Sequence, residues 1–250
     1  MTLDDYLAEL ESNAVLIGAM ALEAGADAAI TTCPGWVMRD LVLHTGEVHR
    51  WAAAIVRGGV TNPSTDLAVD YLGELPNDDD LVDWFVAGAT ALVATLGHAD
   101  PGANYFTFLK DPPSPFMFWP RRQALETAMH RIDAESALAR NTGMSTPLAT
   151  DGIDEILTGF APRKHTPLHS ESPVVLQIAP TDSDAVWSVT ISNEPVVTVR
   201  TGGDADCTAR GLSSDLYQAL WNRQGTEHLT IDGDAAVLQL FCDSVKIRWS

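Results

Sequence analysis

The stretch Arg121-Arg122-Gln123-Ala124-Leu125-Glu126-Thr127-Ala128-Met129-His130-Arg131-Ile132-Asp133-Ala134-Glu135 decides how the rest of the chain is read. It contains no glycine or proline and is rich in good helix formers, so it is predicted to be a helix. Positions four apart share one helix face. Glu126 and His130 therefore project a carboxylate and an imidazole toward the same point, with Asp133 one turn further on. Such a pair supplies two of the three protein ligands that an open metal site needs, although an ordinary surface Glu–His pair has the same spacing. The third ligand has to come from another element, and a second helix carrying His44 offers one.

Three further helices are expected ahead of this one. Tyr6, Leu7, Leu10, Ala14, Ile17, Met20 and Ala21 recur with helical period from about Asp4 to Glu23, and Gly25 ends the run. After Thr31-Thr32-Cys33-Pro34-Gly35-Trp36, a second helix runs from about Trp36 to Arg57 and stops at Gly58-Gly59. Asp78-Asp79-Asp80 opens a third, with acids where the helix dipole favours them, and Gly97 closes it. The connections are long: Val60 to Asp80, and a loop of aromatics and prolines from Tyr105 to Pro120, read as a packed lid or as ordinary core. Four amphipathic helices with long crossovers predict a bundle over residues 1–143.

The character changes over residues 144–250. A short helix from about Asp151 to Phe160 precedes β-rich runs at Val174–Ile178, Ala185–Ile191, Pro195–Val199 and Cys207–Gly211. Ser213–Trp221 reads as a helix, Leu229–Ile231 as a short strand, and Asp232-Gly233-Asp234 as a turn. The expected fold class is a four-helix bundle followed by a small α+β domain.

Composition narrows the partners. The 250 residues carry 34 acidic and 15 basic side chains, a net charge of -19, which leaves no basic footprint for nucleic acid and would be repelled by an anionic membrane. Cys33, Cys207 and Cys242 are widely spaced with no C-x-x-C, as expected in a reducing compartment. No basic, cleavable leader and no apolar run of membrane-spanning length is evident, so the expected location is the cytoplasm.

On the second helix, His44 and Glu47 share a face. His49, five residues beyond His44, points about 140° away at the helical 100° per residue, so the two histidines should not ligate one ion from an unbroken helix. Leu41, Leu43 and Val48 around His44 suggest that it faces inward, where a hydrogen-bonded core histidine is the alternative to a ligand.

Taken in order, Cys33-Pro34-Gly35-Trp36, Arg39-Asp40-Leu41-Val42, His44, and then Glu126, His130, Arg131, Asp133, Ala134 and Glu135 resemble the mycothiol-dependent maleylpyruvate isomerase family. That family is an actinobacterial branch of the DinB-like metalloenzymes, with a DinB-like four-helix bundle and a C-terminal α+β domain similar to sterol-carrier-protein modules. Ala209-Arg210-Gly211-Leu212-Ser213-Ser214-Asp215, Trp221, Arg223 and Asp232-Gly233-Asp234 are similar to the family's C-terminal signature, so the resemblance spans nearly the whole chain.

The resemblance implies that His44, Glu126 and His130 hold a divalent metal, zinc first and nickel as the alternative, and that the thiol cofactor is mycothiol. Two nitrogens and one carboxylate leave an open position, the pattern of catalytic zinc. The implied reaction is attack by a metal-held thiolate on a small electrophile. In an isomerase the thiolate adds to a cis double bond, the bond rotates, and the thiol is expelled; in a transferase the adduct is released. Arg223 matches an arginine that matters in the family and could pair with a substrate or cofactor carboxylate, the alternative being a surface ion pair of the second domain. Asp133 or Glu135 could orient a histidine ligand or be simply solvated helix acids; Glu47 could be a further ligand or a surface acid. Cys33 is read as structural. Two other classes remain open at this point: a non-catalytic metal or small-ligand binding protein of the same fold, and a thiol-independent metal hydrolase.

Overall fold

The structure is a computed structural model that describes residues 1–67, 70–109 and 112–247. The chain divides into two compact units, Met1–Thr142 and Gly143–Ser250.

The first unit is built on α1 (Leu3–Ala24), α2 (Met38–Arg57), the short α3 (Pro63–Asp66), α4 (Leu81–Gly97) and α5 (Pro115–Ser136). α1 packs on α5 and α4, and α2 on α4 and α5, so the four long helices form the expected bundle. Local chemistry sets the ends. Thr2 and Asp5 form a reciprocal capping box at the start of α1, and the Asn77 side chain accepts from the amides of Asp79 and Asp80 just ahead of α4. The acids that announce α4 thus stand before its first turn rather than inside it. Leu10, Ile17, Met38, Leu41, Phe85 and Leu92 are fully buried between the helices. At Gly46 the close approach of α2 and α4 leaves no room for a side chain, because a Cβ there would run into the ring of Trp84. The Arg50 guanidinium lies 3.6 Å over that same ring, so one turn of α2 both makes room for the tryptophan and packs a cation on it.

α5 departs from the sequence expectation in two ways. It begins at Pro115, six residues before the glycine- and proline-free run, because Ser114 accepts from the Met117 amide and Pro115 takes the first helical position. Pro120 lies inside the helix, where it had been read as the end of a loop. The aromatic segment is consequently core and not a lid: Trp51 meets Trp119 at 5.2 Å, Phe108 meets Phe118 at 4.9 Å, and Trp119 donates its indole N–H to the Phe106 carbonyl.

The second departure is burial. Every residue from Phe118 to Glu135 is buried, nine polar or charged side chains among them, so α5 is not amphipathic. Buried polar groups are costly unless partnered, and α5 supplies the partners. Arg131 bonds Glu135 and, on α1, Asn13, while Glu135 also takes the backbone and hydroxyl protons of Thr142.

The second unit contains α6 (Thr146–Glu155), which runs on into a π-helical turn at Ile156–Phe160, then β1 (Val174–Pro180), β2 (Trp187–Ile191), β3 (Val197–Val199), β4 (Cys207–Gly211), α7 (Ser213–Leu220), β5 (Thr230–Gly233) and α8 (Ala235–Ser244). The sheet order is β3-β2-β1-β4-β5, antiparallel except for the β1–β4 pair. The parallel pair follows from the β2–β3 meander, which carries the chain off one side of β1 before β4 returns to the other. α7 and α8 pack on β1 and β4. Among the described residues, no helix is long and apolar enough to cross a membrane.

His49 shows how the bundle treats a polar group away from any ligand cluster. It is fully buried on α2, stacked at 5.5 Å on Phe85, with Nε2 2.9 Å from Thr127 Oγ1. The Thr127 hydroxyl donates to the Gln123 carbonyl, so it is Nε2 that donates to Thr127. Burial pulls His49 down from its ordinary 6.5 to about 3. Below the unfolded value the unfolded chain therefore binds a proton that the folded chain refuses, and stability is lost as the pH falls. Urea denaturation should show a loss of about 1 kcal/mol between pH values of about 6.5 and about 5.5 from this residue, absent from the slope of His49→Gln.

Candidate metal centre

Among the described residues, His44, Glu126 and His130 form a group whose ligand atoms all lie within 4.8 Å of one another. α5 presents Glu126 and His130 one turn apart, and α2 brings His44 across to them. Glu126 Oε1 is 3.1 Å from His130 Nε2 and 3.8 Å from His44 Nε2. A tetrahedral zinc site with bonds near 2.0–2.1 Å places its donors about 3.4 Å apart, which these two separations bracket. The donor set is also chemically apt: two imidazole nitrogens and one carboxylate oxygen, with Glu126 and His130 each 5% exposed and His44 partly open.

The surroundings hold these donors in place. His130 Nδ1 lies 2.9 Å from Asp133 Oδ2, and Thr32 Oγ1 donates to Asp133 Oδ1 at 2.6 Å. With Nδ1 protonated toward Asp133, Nε2 is the nitrogen left to face the cluster. Burial alone would pull His130 down, but the hydrogen bonds and charges of Asp133 and Glu126 overcome it and hold the imidazole up at about 9. Burial would likewise raise Glu126, yet the Arg122 guanidinium, 2.7 Å from Oε2, together with the His130 hydrogen bond keeps its carboxyl well below the ordinary range. The Trp36 ring stacks on His130 at 6.3 Å and meets His44 edge-on at 5.1 Å, forming one wall.

The remaining candidates separate cleanly. Asp133 is fully buried against His130, so it is the acid that orients a histidine. Glu135 is equally buried but is committed to Arg131 and Thr142; neither is a solvated helix acid. His49 stays with Thr127, outside the cluster, and Glu47 is not one of the three converging side chains. Cys33 is half-buried, in no disulfide, and packed against the bundle core. Arg223 belongs to the second unit, at the end of α7. There Asn222 adopts positive φ, and the amides of Asn222 and Arg223 return to the carbonyls of Ala219 and Gln218, fixing the backbone that carries the guanidinium. Three contributors had no role in the sequence reading: Arg122, Thr32 and Trp36. Arg122 left a signal in its position four residues before Glu126, and Trp36 in the Cys33-Pro34-Gly35-Trp36 motif; Thr32 left none.

The model of the mycothiol maleylpyruvate isomerase N-terminal domain matches residues 7–135, more than half the chain and all three converging residues. The chain belongs to this family. The family's C-terminal domain model matches residues 147–240. Among solved structures, the mycothiol-dependent maleylpyruvate isomerase aligns with a TM-score of 0.62 at 13% identity, covering 94% of this chain and 95% of that one. A mutant of that enzyme gives the same values. At this identity the likeness establishes a shared fold, and it extends over both units of the family member described above. No curated protein matches the chain.

The Thr32–Asp133–His130 chain sets an expectation for any ion held between the three donors. Asp133→Asn keeps the shape but weakens the acceptor behind Nδ1, and zinc affinity measured by competition with a chromophoric chelator should fall about 10–100-fold.

Proposed function

We propose that the protein is a divalent-metal-dependent, mycothiol-using isomerase or S-transferase acting on a small electrophile of the maleylpyruvate type. The observation that carries this reading is the convergence of His44, Glu126 and His130, with Asp133 fixing the tautomer of His130. A surface Glu–His pair needs neither burial nor a buried acceptor behind the ring. Membership of the mycothiol maleylpyruvate isomerase family supports the choice of thiol and of reaction class.

Zinc, with nickel as the alternative, would supply Lewis acidity at the open position and keep a bound thiol as thiolate. The chain's own groups do the rest. His44 and His130 would hold the ion through nitrogen and Glu126 through Oε1, since Arg122 occupies Oε2, and the Trp36 ring would limit water on one side. Arg223 is assigned to a carboxylate of substrate or cofactor, for which a guanidinium fork is suited. The metal chemistry is assigned to a domain of residues 1–143, followed by a domain of residues 144–250, a division that the two compact units support. The reactants are small molecules, and a chain with net charge -19 is unsuited to nucleic acid or an anionic membrane; the cytoplasm is where such a thiol enzyme would work.

Elemental analysis of the purified protein tests the site. About one zinc or nickel per chain, lost in His130→Ala, is the expected result. Mycothiol should then perturb the visible spectrum of the cobalt-substituted protein. No metal uptake even with excess zinc would sink the enzyme reading, while turnover without thiol would point to a hydrolase. Arg223→Lys, which keeps the charge and loses the fork, should lower kcat/KM about tenfold or more with metal content unchanged.

A further inference from the structure

Arg122 sits one helical turn before Glu126, is 1% exposed, and donates from Nη2 to Glu126 Oε2 at 2.7 Å. The two carboxylate oxygens thereby take different work. Oε1 makes both approaches to the histidines, and Oε2 is turned to the guanidinium. A glutamate held this way offers an ion one oxygen and not two, which keeps a coordination position open.

The same contact changes the charge of the site. A divalent ion, the Glu126 and Asp133 carboxylates and two neutral imidazoles sum to zero, and Arg122 raises the sum to one positive charge. This matters on a chain whose overall charge of -19 disfavours the approach of any anion. Burial strengthens the effect, because a fixed charge out of water acts through a low effective dielectric. Arginine suits the position, since it stays charged when buried.

We propose that Arg122 is a positioning residue that makes the open metal position select an anionic ligand, a thiolate or carboxylate, over a neutral one. The proposal rests on the metal-site reading above and adds the residue that makes that position favour an anion.

The test uses the full-length cobalt-substituted protein at a single pH, titrated with azide as the anionic probe and imidazole as the neutral one, read from the visible absorption of cobalt. Arg122→Gln keeps a hydrogen-bond donor for Oε2 and removes the charge; Arg122→Lys keeps the charge. The expected result is azide affinity about 10–100-fold weaker in Arg122→Gln, imidazole affinity changed less than about threefold, and the azide preference retained in Arg122→Lys. Equal loss for both probes, or no loss for azide, would overturn the proposal while leaving the metal site standing. If Arg122→Gln is unstable, Arg122→Met takes its place. Failure of both to fold, with Arg122→Lys intact, would also overturn it, marking the positive charge as a structural counter-ion for Glu126. Failure of the wild type to take up cobalt would remove the metal-site reading and this inference together.

Discussion

A helix that is buried along eighteen consecutive residues, Phe118 to Glu135, and yet carries arginines, acids and a histidine is the constraint on which this structure depends. An unpaired charge in a protein interior is costly, and removing one partner of a buried pair costs about 3–5 kcal/mol. Each charged group therefore has to find its complement at a fixed place. α5 meets much of this demand from within, through pairs three and four residues apart: Arg122 with Glu126, Glu126 with His130, His130 with Asp133, Arg131 with Glu135. The remaining partners, Asn13, Thr32, His49 and Thr142, come from α1, the loop before α2, α2 itself and the segment after α5.

Satisfying α5 and building the candidate site are consequently one operation. The hydrogen bond that relieves Asp133 also sets the tautomer of His130, and the ion pair that relieves Arg122 also selects which oxygen of Glu126 faces the histidines. The only donor of the three from outside α5 is His44, and it is the most exposed of them. Precision thus resides in the buried helix, and access resides on the side of α2. That division suits a site that must hold an ion firmly and still admit a small ligand.

The polar chain also accounts for the contrast between the two buried histidines. His49 is surrounded by Phe85 and the Thr127 hydroxyl and is pulled down toward 3 by burial; His130 lies between two carboxylates and is held up near 9. They sit on adjoining helices of the same bundle. His130 bonds two carboxylates directly, whereas Glu126 acts on His49 only through its charge and does not offset burial there.

Much of this protein was legible from sequence. Helical periodicity marked three of the long helices, helix formers without glycine or proline marked the fourth, β-rich runs between turn residues marked the second half, and the i, i+4 spacing put Glu126 and His130 on one face. The angular step from His44 to His49 separated the two histidines, and an ordered set of motifs pointed to the family. These are local properties, written in the spacing of residues along a single element. Other features were decided only by tertiary structure. Pro120 reads as a breaker until Ser114 and Pro115 start the helix ahead of it, and the aromatic segment reads as lid or core until Trp51 packs against it. Asp133 reads equally as a histidine-orienting acid or a solvated one until the neighbouring elements bury it beside His130 and bring Thr32 to its other oxygen. Burial, and the partner a buried group then needs, depend on residues a hundred positions away in the chain, and no local pattern encodes them.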